Sequence, residues 1–145
     1  MKTLLIMSLA FTAICAQAID TKGVLAMVVQ VVDDAGDPVE GATVALPQGE
    51  MIKLKETAKN LGMSALATEH ASHPGTTDKL GFTMIYYSGG TQSTSTEYAC
   101  SLPGSIEVEH QGKKPLTIGL SKRGILSVKP NESVVPHITA TLTAK

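Results

Sequence analysis

The sequence predicts a mainly β protein, a seven-stranded Greek-key β-sandwich with one inserted short α-helix. Three observations predict it. Apolar and polar residues alternate with period two in a series of short runs, the pattern of strands with one buried face. Turn chemistry built on Gly, Pro, Asp and Asn separates those runs. One stretch near the middle switches to helical spacing.

Ahead of the first run, Met1-Lys2-Thr3 opens an apolar stretch that ends in Ala16-Gln17-Ala18. A charged start, a short apolar core and an A-x-A site make a secretory signal peptide. The apolar stretch is too short for a membrane anchor. A lipoprotein site needs a small residue before the acylated Cys, and Ile14 precedes Cys15. Residues 1–18 are therefore expected to be removed, leaving 19–145 as a single domain large enough to bury a core. Export to the periplasm of a Gram-negative cell, or secretion, is the expected destination.

The first strand covers residues 24–32, almost wholly apolar and β-branched, as suits a central strand covered on both faces. Ala35-Gly36-Asp37-Pro38 turns it into a second, in which Ala42, Val44 and Leu46 alternate with Thr43 and Ala45. From Met51 the period changes. Met51, Leu54, Ala58, Leu61 and Ala65 share one side of a helix, and Lys53, Lys55, Glu56, Lys59 and Asn60 the other. Glu50 suits the positive end of that helix, and Gly62 is placed to end it. The spacing predicts a helix over 51–61, either a lid on apolar surface or a partner-binding face. Residues 68–77 and 88–100 read as long loops, the usual place for binding sites on a rigid scaffold.

Further strands follow. Phe82, Met84 and Tyr86 alternate with Thr83, Ile85 and Tyr87, and Ile106 and Val108 with Ser105, Glu107 and Glu109. Leu116, Ile118 and Leu120 oppose Thr117, Gly119 and Ser121, and a weaker strand covers 124–129. The last strand sets Ile138, Ala140, Leu142 and Ala144 against His137, Thr139, Thr141 and Thr143.

Three short motifs carry structure. The first is V-x-V-V-D-x-x-G-x-P-V-x-G-A-x-V over 29–44, holding Asp33, Gly36, Pro38, Gly41 and Ala42. The second, Thr77-Asp78-Lys79-Leu80-Gly81-Phe82, stands before a strand. The third starts Leu102-Pro103-Gly104-Ser105-Ile106 and closes at Gly112. Gly36 permits a tight turn and Pro38 presets its backbone. Gly41 and Ala42 keep the entry to the second strand small. Asp78 can bond its own following amides before Gly81.

In this order the motifs resemble the carboxypeptidase regulatory-like family, whose fold is the transthyretin-like (prealbumin-like) β-sandwich, a relative in shape of Ig-like domains. The resemblance implies a seven-stranded sandwich that serves as an accessory module, attached to peptidases, receptors or surface proteins. The chain departs from the family in its inserted helix and in Lys113 and Lys114, which stand where an aromatic often follows the third motif's glycine. The closing residues Leu142-Thr143-Ala144-Lys145 do not match the Tyr-Arg-Gly-Ser tail of hydroxyisourate hydrolase, an enzyme of this fold.

Composition narrows the function classes. Twelve Lys and Arg against thirteen Asp and Glu give a net charge of −1, so no basic field attracts nucleic acid or anionic lipid. There is no Trp and aromatics are 3%, which argues against stacking platforms for sugars or bases. After the signal, Cys100 is the lone Cys and is expected to pack as a small buried hydrophobe. His70 and His73 form H-x-x-H, weak candidates for a metal site that no second ligand motif supports. His110 or His137 beside Cys100 would make a Cys–His pair, but no motif places them together. The acidic run Asp33, Asp34, Asp37 and Glu40 lacks EF-hand spacing.

The expectation is a non-enzymatic binding or accessory module of the cell envelope, with no catalytic residue and no cofactor. Its partner would be another envelope or secreted protein, bound by the exposed side of helix 51–61 and by loop 88–100. The alternative is a periplasmic metal-binding protein using His70 and His73.

Overall fold

A computed structural model describes residues 19–63, 74–93, 98–120, 125–128 and 136–145. In chain order they form β1 (Ile19–Asp33), β2 (Thr43–Ala45), α1 (Gln48–Asn60), β3 (Gly75–Thr76), β4 (Phe82–Ser93), β5 (Tyr98–Ser101), β6 (Ser105–Glu109), β7 (Leu116–Gly119), β8 (Ile125–Val128) and β9 (His137–Leu142). The protein is mainly β, with two sheets and one helix among the described residues. One sheet has five strands in the order β8-β5-β4-β1-β9, the other four in the order β3-β2-β6-β7.

Among the described residues nine strands stand where seven are expected. The two additions, β3 and β5, lie in the stretches read from sequence as loops. The 88–100 loop is corrected furthest. β4 runs on through Ser88-Gly89-Gly90 to Ser93, and β5 resumes at Tyr98. Gly weakens a strand by losing entropy and packing nothing, so this segment carries little strand signal. Two neighbours supply what it lacks: Gly89 pairs with Gly23 of β1, and Thr91 with Cys100 of β5.

β1 pairs antiparallel with β4 from Ile19↔Ser93 to Gln30↔Phe82, and parallel with β9 from Val28↔His137 to Asp33↔Leu142. It is central in its sheet, but only one face is closed. Met27, Val29 and Val31 are fully buried, while Val28, Gln30 and Val32 are half-covered. The core joins Met27, Val29, Val31, Ile85, Tyr87, Ile138, Ala140 and Leu142 of the larger sheet to Val44, Ile106 and Val108 of the smaller. Each is the alternate residue of its strand, as period two demands.

The first and second motifs fold into the same turn twice. Asp33 Oδ1 accepts the amides of Ala35 and Asp37 at 2.9 Å each. Gly36 donates to the Asp33 carbonyl (3.0 Å), and the Asp33 amide donates to the carbonyl of Asp37 (2.9 Å). Asp78 repeats every bond: its Oδ1 accepts Leu80 (2.9 Å) and Phe82 (3.0 Å), Gly81 donates to its carbonyl and its amide to Phe82. Both glycines are left-handed, Gly36 at φ +84° and Gly81 at φ +78°. These are three-residue hairpin connections, a tight turn closed by a glycine bulge.

Thr77 locks the two turns to the entry of β2. It is almost fully buried; its hydroxyl donates to the Val39 carbonyl (2.6 Å) and accepts the Ala42 amide (2.9 Å). Its own amide donates to Ala42, and its carbonyl accepts Gly41. Ala42 is fully buried, so a small residue is needed there. Gly41 differs from expectation: a side chain would meet nothing within 4 Å, and what the site demands is its φ of +76°.

α1 packs against β4 and β1. Leu54, Thr57 and Ala58 are buried and Met51 is packed against the core, the stripe that helical spacing predicts. Leu61 leaves that stripe and is half-exposed, because the helix stops one residue earlier. Gly62, at φ +72°, donates to Lys59 and Met63 donates to Ala58. That pair of bonds is a Schellman closure, which satisfies carbonyls the last turn leaves open.

Candidate functional site

The residues with chemistry to offer lie in three places. The motif residues come first, and their polar atoms are spent on backbone. Asp33 and Asp78 hold their own turns, and Thr77 uses its hydroxyl both as donor and acceptor. Pro38 bridges to Val32 across the first turn. Pro103 is fully buried, and the Gly104 carbonyl accepts the Leu120 amide (2.8 Å), which fastens the third motif across to the end of β7.

The second place is the outer side of α1. Burial of Leu54, Thr57 and Ala58 turns Ile52, Lys53, Lys55, Glu56, Lys59 and Asn60 to solvent. Ile52 is 51% exposed. Glu50 in the first turn pairs with Lys53 at 3.2 Å, close to the start of β6 at Gly104. Beneath the helix, the Thr57 and Ser88 hydroxyls lie 2.6 Å apart, a polar tether between α1 and β4. Next along β4, Tyr87 donates to the Ser101 carbonyl (2.8 Å), and the Ser101 hydroxyl accepts the Gly90 amide (2.8 Å).

The third place is a cleft of about 340 Å³ beside the end of β6, lined by residues that include Thr43, Glu109, His110, Lys113 and Lys145. A His110 Nε2–H donates to the Glu40 carbonyl at 3.1 Å, and the ring's Nδ1 is buried and without a partner among the described residues. This cleft was not singled out by sequence reasoning. Its walls meet only when β2 pairs with β6 and the chain end folds back, and neither event leaves a local signal.

The structure does not assemble a Cys–His pair from Cys100. Cys100 lies on β5, and His110 follows β6 in the other sheet. His137 shares the sheet with Cys100, but β4 and β1 stand between them, roughly 14 Å at ordinary strand spacing. The His137 ring instead sits 6.0 Å from Phe82. Cys100 is buried, and that burial raises its thiol above the ordinary value, away from the reactive thiolate. His70 and His73 lie outside the described residues. Among those described, no group of three or more His, Cys, Asp or Glu could hold a metal ion, and no helix is long and apolar enough to cross a membrane.

What fold and site define together is a two-sheet, mainly β protein with one amphipathic helix whose outer side mixes lysines with an exposed Ile. No protein-family model matches the chain, and no curated protein matches it closely enough to indicate a relationship.

Proposed function

We propose that this protein is an exported, non-enzymatic β-sandwich of Greek-key, carboxypeptidase regulatory-like type that binds another envelope or secreted protein. The observation that carries the reading is the outer side of α1. The helix is anchored by its inner stripe, so its outer side is a rigid display rather than a loose segment. That side sets one half-exposed apolar residue, Ile52, among Lys53, Lys55 and Lys59. An apolar anchor with a charged rim is how protein interfaces are built, and the lysines favour a partner with an acidic rim. The secretory start of the sequence supports the location, and the motif residues support the module: their polar atoms hold turns, which leaves the chain a scaffold.

The test is affinity capture from solubilised envelope of the host, with tagged protein as bait. Wild type should retain a reproducible partner that an Ile52→Asp, Lys55→Glu double variant loses while keeping its melting temperature. Equal capture by both proteins would remove α1 from the interface, and an empty capture would end the accessory-module reading.

A further inference from the structure

We infer that β9 is an interface with a second copy of this chain, formed by antiparallel pairing of two β9 strands about a two-fold axis at Thr139. β9 is the edge strand of the five-stranded sheet. The parallel register Val28↔His137, with the Val28 amide donating to Pro136, turns the backbone groups of Ile138, Ala140 and Leu142 toward β1. The backbone groups of His137, Thr139 and Thr141 therefore point away from the sheet, and none has a partner among the described residues.

This free edge has defined ends. Pro136 precedes it, and at the other end the Thr143 carbonyl already accepts the Lys114 amide (3.0 Å). Three amides and three carbonyls remain between those limits. A two-fold axis at the middle residue sets Thr139 opposite Thr139 and His137 opposite Thr141. In that register each of the three residue pairs exchanges both bonds, so every outward group on both copies is satisfied. That match of an edge with itself is what an isologous contact requires, and a second copy of the chain supplies it. Pairing also uses up the edge on each copy, so it closes at a dimer and does not grow a fibre.

The other edges support the choice. β3 is two residues long; β8, at the opposite edge of the same sheet, is four residues long and is followed in sequence by Lys129 and Pro130; and β7 is preceded by Lys113, Lys114 and Pro115, the residue types that block edge pairing. β9 carries no Lys, Pro or acid from His137 to Leu142. Thr139 of one copy would stand against Thr139 of the other as a cross-strand Thr pair, which suits a sheet. The contact is smaller than a standard protein interface, so the dimer is weak, with a dissociation constant on the order of 10–100 μM.

Sedimentation of the purified protein from about 5 μM to about 1 mM should show a monomer turning into a dimer across that range. Thr139→Lys places two cations against each other at the axis. Thr139→Pro removes an outward amide that β1 does not use, which an edge strand tolerates. Both variants should stay monomeric throughout. In the wild type, amide exchange at Thr139 and Thr141 should slow as concentration rises, a readout that needs no substitution. A wild type monomeric at 1 mM overturns the inference, as does a dimer that both variants keep or whose Thr139 and Thr141 amides exchange unchanged.

Discussion

The turns at Asp33 and Asp78 use the same four bonds and the same left-handed glycine, yet they stand in different surroundings. A Cβ on Gly36 would meet nothing within 4 Å. A Cβ on Gly81 would lie 2.5 Å from the Val31 carbonyl oxygen and 3.3 Å from Pro38 Cβ. The close approach has a cause: the Val31 amide donates to the Gly81 carbonyl at 2.8 Å, which draws the second turn against the first. Gly36 is thus required by its own backbone angle, and Gly81 by that angle and by a neighbour. Local sequence specifies a turn; contact with the rest of the molecule decides how replaceable its glycine is.

Five substitutions and one titration test the comparison. Gly81→Ala should have the largest effect, about 3 kcal/mol or more, because left-handed strain adds to a clash with backbone that has no flexible end to move. Thr77→Val should follow at about 2–3 kcal/mol, since it orphans the buried Val39 carbonyl and Ala42 amide that tie the turns to β2. Gly36→Ala should cost about 1–2 kcal/mol, the strain alone. Denaturant midpoints measure all three, and equal losses at Gly36 and Gly81 would show that the contact contributes nothing. Asp33→Ala and Asp78→Ala sharpen the same contrast. Their side chains make matching bonds, so the two losses should agree near 1 kcal/mol even though the glycines differ.

The smallest effect lies away from the turns and serves as a reference. Burial raises the native thiol of Cys100. As pH climbs past the ordinary thiol range the unfolded chain loses its proton first, so the native state then binds more protons and stability falls with pH in that window. Wild type should lose slightly more stability than Cys100→Ala between about pH 7.5 and 9.5. Native Cys100 should also react with an alkylating agent far more slowly than the unfolded chain does.

Residues that act through near neighbours were legible in the sequence. Period two located β1, β2, β4, β6, β7, β8 and β9, and helical spacing located α1 within three residues at its start. Gly36 and Asp78 could be assigned to turns because their bonds close within five residues. The segment around Gly89 and Gly90 was not legible as strand, since its bonding partners, Gly23 and Lys22, lie more than sixty positions away. The candidate cleft at His110 was hidden for the same reason.

The sequence by itself determined the β class, the placing of most strands, the one helix with its buried stripe, and the glycines that turns require. Each follows from side-chain period or from backbone angles, which are properties of a few adjacent residues. Only the tertiary structure decided that β1 and β9 run parallel, that Thr77 joins two turns to β2, that Leu61 falls outside the helix's buried stripe, and that β9 lies at an edge of its sheet among the described residues. Those outcomes depend on which distant segments supply the missing hydrogen bonds and cover the apolar faces, and that choice is made by the whole chain as it packs.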